Sequence, residues 1–217
     1  MYLPRHFEAP EGELARFLSS AQAADLITRA AAGLVASTLP LLFDADSQPK
    51  GTFYGHLARA NPQWSDLVSD EALVLVRGPE AYVSPSYYPS KAEHGQVVPT
   101  WNYISVQARG RLIVHDDPAW TEALVRRLTE HHEGARSNPW SVDDAPQEYV
   151  HAQLHAIVGI EVQIEELSGK WKLSQNRPAA DIVGVISGLQ HGTPREAEVA
   201  EVMTQPRDGS PQPPSNG

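Results

Sequence analysis

Residues 101–115 and 158–167 commit this chain to a sheet. In the first, Tyr103, Ser105 and Gln107 alternate with Ile104, Val106 and Ala108; in the second, Ile160, Val162 and Ile164 alternate with Glu161, Gln163 and Glu165. Successive side chains of a strand point to opposite faces, so a period of two predicts strands with one apolar and one polar side. Gly110 marks a bulge or bend in the first strand. Shorter strand signals come earlier. They are 34–43 and 51–59, joined by the turn-rich DADSQPKG, the apolar run 72–77, and Tyr82-Val83 after a turn at Gly78-Pro79. Alternation within 51–59 puts His56 and Arg59 on opposite faces.

Helical spacing appears around these strands. Leu14, Phe17, Leu18, Leu26 and Ile27 predict an amphipathic helix over 11–31, ended by Gly33. Asn61-Pro62 reads as the start of a short helix reaching Leu67. Asp117-Pro118 opens a longer one with Trp120, Leu124 and Leu128 on one face, stopped near Gly134. Further helices are expected at 146–157, 179–190 and 194–204. Strands with helices at their edges define an α+β chain with an antiparallel, barrel-like core. Residues 1–204 read as a single domain and the Pro/Gly/Ser-rich stretch 205–217 as a disordered tail.

Composition narrows the classes. The 217 residues carry a formal net charge of −10, with basic residues scattered. Nucleic-acid binders gather cations to neutralise phosphates, so this chain gives direct DNA binding no support. It has no cysteine, hence no disulfide and no thiolate chemistry. No apolar run is long enough to span a bilayer, and the opening MYLPRHFEAPEGE lacks an apolar signal region. Cytoplasm is the expected compartment.

No nucleophile elbow, P-loop or dinucleotide fingerprint is present. His131 and His132 are adjacent, so on a helix they diverge, and His151 with His155 lacks the acidic partner of a zincin motif. These histidines read as solvated or capping groups, and no metal is expected. Two polar clusters remain. Residues 82–103, YVSPSYYPSKAEHGQVVPTWNY, combine five aromatic rings with Ser84, Ser86, Ser90, Lys91 and Asn102, broken by three prolines. This stretch reads either as a ligand loop for a flat, polar, phosphorylated molecule or as a rigid loop whose tyrosines cover the core. The second cluster, 169–177, holds Lys170, Lys172, Ser174, Gln175, Asn176 and Arg177.

The segments GHLARANPQW, GPEAYVSPSYYPSK, VVPTWNY, ARGRL and GKWKLSQNRP, in this order, resemble the PaiB-like family of FMN-binding negative transcriptional regulators. MYLPRHFE and PWSVDDAPQEYVHAQLHAIVGIEV fit the same pattern, so the resemblance runs to about residue 204. It implies an antiparallel split β-barrel of the flavin-reductase and pyridoxamine-phosphate-oxidase kind with peripheral helices. It also implies a homodimer with FMN at the subunit interface. Carried over residue by residue, Ser90 and Lys91 would hold the phosphate, while Trp101, Asn102, Ser174, Gln175, Asn176 and Arg177 would line the pocket. His56 and Arg59 would contribute. The implied function is regulator or flavin-dependent sensor; the alternatives are an FMN-dependent oxidoreductase using NAD(P)H and a haem-binding split barrel with a histidine ligand.

Overall fold

The structure is a computed structural model describing residues 1–10, 12–20, 23–47 and 50–205. Among these residues seven strands form one antiparallel sheet: β1 (Ala24–Ala30), β2 (Gly33–Leu39), β3 (Leu42–Asp44), β4 (Thr52–Ala58), β5 (Leu67–Val83), β6 (Thr100–His115) and β7 (Ile157–Lys172). Their order is β2-β1-β5-β6-β7-β4-β3. Six α-helices accompany them: α1 (Glu13–Ser20), α2 (Ser90–His94), α3 (Pro118–Glu133), α4 (Gln147–His155), α5 (Ala179–Gln190) and α6 (Pro194–Thr204). The expected tail lies, from residue 206, outside the described residues.

Four expectations are corrected. Among the described residues the helix expected over 11–31 is helical only in α1, and 24–30 is β1, hydrogen-bonded on one side to β2 and on the other to β5. Leu26, Thr28 and Ala30 are buried while Arg29 is exposed, the period of two that suits β-branched Ile27 and Thr28. Gly33, at φ 124°, opens β2 opposite Ala30 instead of capping a helix. No turn occurs at Gly78-Pro79, because β5 runs through both; the φ of proline lies within the extended region and only its N–H is lost. The strand 34–43 breaks near Pro40 into β2 and β3. The helix after Asn61 is a single 3₁₀ turn, Pro62–Trp64, capped as expected by the Asn61 side chain. Its Gln63 is buried and donates to the Leu26 carbonyl and to Thr28 Oγ1, both at 3.1 Å.

The chain contacts define two compact units, one made of Met1–Leu14, Arg77–Val106 and Ser168–Gly217, the other of Ala15–Val76 and Gln107–Leu167. The first contains the C-terminal parts of β5 and β7, the N-terminal part of β6, and helices α2, α5 and α6. Its buried side chains include Phe7, Val83, Ile104, Trp171, Val185 and Val199. The second buries Leu26, Phe53, Leu57, Val74, Ile160 and Ile164. In it, α3 starts on Pro118 with Asp117 capping the Ala119 amide, and Leu124 and Leu128 pack with Leu42 and Trp120.

Candidate functional site

The aromatic loop is built within the first unit. Ser84 caps a 3₁₀ turn, Pro85–Tyr87, and α2 follows, stopped by Gly95 at φ 65°. The two readings of this loop divide between its residues. Tyr87 lies against α5, where only glycines fit: a Cβ on Gly184 would stand 2.1 Å from the Tyr87 carbonyl oxygen, and one on Gly188 would stand 2.4 Å from its ring. Tyr88 is buried beneath the Arg177 guanidinium, 5.0 Å from the ring centre. Burial pushes the Tyr88 phenol pKa up; the Arg177 charge opposes this and Asp181 reinforces it. These inner tyrosines are structural. The outer rings are not covered: Trp101 is 52% and Tyr82 44% exposed, meeting edge to face at 6.1 Å.

Ser90 and Lys91 are adjacent on α2 but differently employed. The Ser90 amide and hydroxyl both donate to the buried Asp181 carboxylate, at 3.1 and 2.8 Å. A phosphate there would meet a carboxylate, so Ser90 serves to lock α2 to α5. Lys91 is exposed and forms no ion pair among the described residues.

The second cluster is partly strand. Since β7 continues to Lys172, Lys170 and Lys172 fall on one face, with Trp171 opposed and buried. Lys170 donates to the Tyr2 carbonyl at 3.1 Å. Lys172 donates to Thr100 Oγ1 at 2.7 Å and to the Trp101 carbonyl. Both ammonium groups stand within 6.0 Å of the Phe7 and Tyr103 ring centres. Burial, then the charges of Lys170 and Arg177, hold the Lys172 pKa below its ordinary value. Among the described residues none of these three cations makes an ion pair.

The turn after β7 organises the remaining candidates. Ser174 adopts a left-handed φ of 66°, a conformation rare outside glycine. Its hydroxyl donates to Asn102 Oδ1 at 3.1 Å, and Asn102 Nδ2 reaches Met203 Sδ of α6 at 3.4 Å. The Gln175 side chain accepts from the Leu173 amide at 2.7 Å and donates to the Trp171 carbonyl, so it shapes the turn. Arg177 closes it through its amide to the Ser174 carbonyl. Asn176 is exposed. Trp101, Asn102, Ser174, Gln175, Asn176, Arg177 and Lys91 thus share the first unit. Sequence reasoning counted Tyr103 among the rings of the aromatic stretch but did not find Asp181 or the role of Phe7, whose helical and apolar signals mark core as readily as site.

His56 and Arg59 belong to the second unit. Arg59 is engaged, with Nη2 at 2.6 Å from Asp116 and Nε donating to the His155 carbonyl at 2.7 Å. It ties the end of α4 to the residues before α3. His56 lines a cleft of about 300 Å³ with Pro40, Leu128, His132 and Trp140, and burial lowers its pKa from 6.5.

The polar and aromatic groups of the first unit have the chemistry that a flavin nucleotide requires, whereas Ser90, His56 and Arg59 are employed or placed elsewhere. FMN needs cations for its phosphate, flat apolar area for its ring and donors for its ring edge. The first unit supplies three cations without counter-ions, exposed aromatic rings, and a buried amide.

The architecture is that of an antiparallel split β-barrel with peripheral helices. The flavocytochrome Anf3 of Azotobacter vinelandii shares it at a TM-score of 0.54, with 15% identity over 78% of this chain and 72% of that one. A model of the family described as "Putative FMN-binding domain" matches residues 1–166. The protein named Protease synthase and sporulation protein PAI 2, from Bacillus subtilis, is 32% identical over 94% of this chain and 96% of its own. An uncharacterised Aspergillus fumigatus protein is 35% identical over 72% of this chain and 76% of its own. The chain belongs to the PaiB-like FMN-binding family. Its cofactor is FMN. No helix among the described residues is long and apolar enough to cross a membrane.

Proposed function

We propose that the chain is an FMN-dependent sensor that acts as a negative regulator through a partner, and that Lys170, Lys172 and Arg177 hold the flavin phosphate. The observation that carries the placement is the unneutralised charge. Lys172 is depressed by burial and by two like charges, a cost that a bound dianion would remove. Trp101 and Tyr82 would give the ring its apolar area, with Asn102 and Ser174 as polar neighbours. When bound, the isoalloxazine would supply a redox-active ring; the chain's part is to bind and orient it. The exposed Trp101 and Tyr82 also suit a homodimer in which a second subunit completes the flavin site.

The sensor reading rests on how the site is wired. Ser174, Asn102 and Met203 connect the turn after β7 to α6, and Ser90 with Asp181 connects α2 to α5. Occupancy of the cations therefore bears on the C-terminal helices, which would present the state to a partner. The relative from Bacillus subtilis carries a name that speaks of protease synthase and sporulation. A net charge of −10 argues for action through protein contacts in preference to DNA. The test is an absorbance spectrum with FMN, followed by NADPH under anaerobic conditions. The sensor is expected to show a bound-flavin spectrum that stays oxidised. Rapid bleaching overturns that reading and makes the protein an oxidoreductase.

A further inference from the structure

Lys172 is half-buried between like charges, with no carboxylate to hold its proton among the described residues. An ammonium carries three donors and no acceptor, whereas the neutral amine carries two donors and one lone pair. Two acceptors face Lys172 Nζ, Thr100 Oγ1 at 2.7 Å and the Trp101 carbonyl. In the neutral form of the side chain they would satisfy both N–H bonds and leave the lone pair free. The charged neighbours are Lys170 on the same strand and Arg177 in the following turn, both positive. Glu8, whose main chain bridges to that of Lys170, is exposed, and among the described residues no carboxylate pairs with Lys172. The Phe7 and Tyr103 rings lie 6.0 and 5.9 Å from Nζ. A lysine desolvated beside other cations is the kind that attacks carbonyl carbons.

We propose that Lys172 is a reactive amine that forms an imine with flat, phosphorylated aldehydes. Its Nζ lone pair adds to the aldehyde carbon, and a proton passes from nitrogen to the carbonyl oxygen. Loss of that oxygen as water then leaves a C=N bond. The step is a condensation and needs no oxidant or reductant. Lys170 and Arg177 draw the phosphate, and the Tyr103 and Phe7 rings flank the aromatic portion. The inference goes beyond flavin binding. It shares cations with that site but requires only the free amine.

The probe is pyridoxal 5′-phosphate, added to the flavin-free full chain at neutral pH, trapped with borohydride and located by peptide mapping. The chain has four lysines, Lys50, Lys91, Lys170 and Lys172. Lys172 is half-buried, whereas Lys50 and Lys91 are exposed. The expected result is more adduct at Lys172 than at the other three together, and less with pyridoxal, which lacks the phosphate. Labelling that follows exposure, with Lys50 and Lys91 dominant, overturns the proposal; so does equal labelling by the two aldehydes. Lys172→Arg should remove more than half of the imine absorbance with an unchanged melting temperature. If that variant fails to fold, the map on the natural chain decides alone. A separate titration showing no FMN binding would leave this map unaffected, so the two readings fail separately.

Discussion

Asp181 is buried without a cationic partner among the described residues, and its carboxylate accepts from the Ser90 amide and hydroxyl. Ser90→Ala removes the shorter of those bonds and leaves a carboxylate oxygen in a dry site. A loss of about 1–3 kcal/mol is expected in urea unfolding, the usual cost of an orphaned buried group. A loss near zero would mean that water reaches Asp181. At His56 the sign of the pH effect follows from burial. The folded pKa lies below the ordinary 6.5, so the unfolded chain takes up a proton that the folded chain resists. Stability from this residue is complete above the unfolded value and is lost as pH falls through it toward the folded one. His56→Gln should flatten the acid limb of a melting-temperature profile, with His132 and Glu133 still facing the same cleft. An unaltered limb contradicts this. At this scale the sequence was informative about which residues matter and not about what they touch. SQNR was visible as a polar run, but the bond from Ser174 to Asn102 joins residues 72 apart. YPSK offered a serine and a lysine in the right chemistry for phosphate, while the carboxylate that claims the serine sits 91 residues away.

Elements obey the same limit. The strands β6 and β7 were legible because burial on one face writes a period of two into the residues. The segment 24–30 was not, since its alanines, Leu26 and Ile27 fit a helix until β2 and β5 pair with both of its edges. Tertiary hydrogen bonding overrides local propensity there. Close approach is likewise invisible in sequence. A Cβ on Gly110 of β6 would stand 1.9 Å from the Gln163 carbonyl oxygen of β7, a main-chain atom that cannot swing aside. Gly110→Ala is therefore expected to part these strands and sharply lower soluble yield and melting temperature. Retention of both would show that the strands can separate without loss. By contrast, α6 announced itself. Thr193 and Glu196 form a reciprocal capping box ahead of a Pro194 start. Thr193→Ala should cost about 1 kcal/mol in chemical denaturation. It should also weaken any protection of α6 from hydrogen exchange that FMN confers.

For the whole molecule, order along the chain and order in space diverge. The first unit draws on residues 1–14, 77–106 and 168 onward, so its cations, rings and caps come from three separated stretches. Composition could exclude thiol chemistry and argue against a nucleic-acid surface, and motifs led to the family. Neither could show that the second polar cluster is half strand and carries the unneutralised charge. Phosphate recognition by that charge underlies the proposed function. The direct test is a fluorescence titration of the protein with FMN and with riboflavin, repeated on Arg177→Gln and, for comparison, on Lys91→Ala. FMN should bind more tightly than riboflavin by about 1–3 kcal/mol, as charge-assisted bonds to a phosphate allow. The advantage should shrink in Arg177→Gln more than in Lys91→Ala. Equal binding of the two flavins by the natural chain would contradict the account.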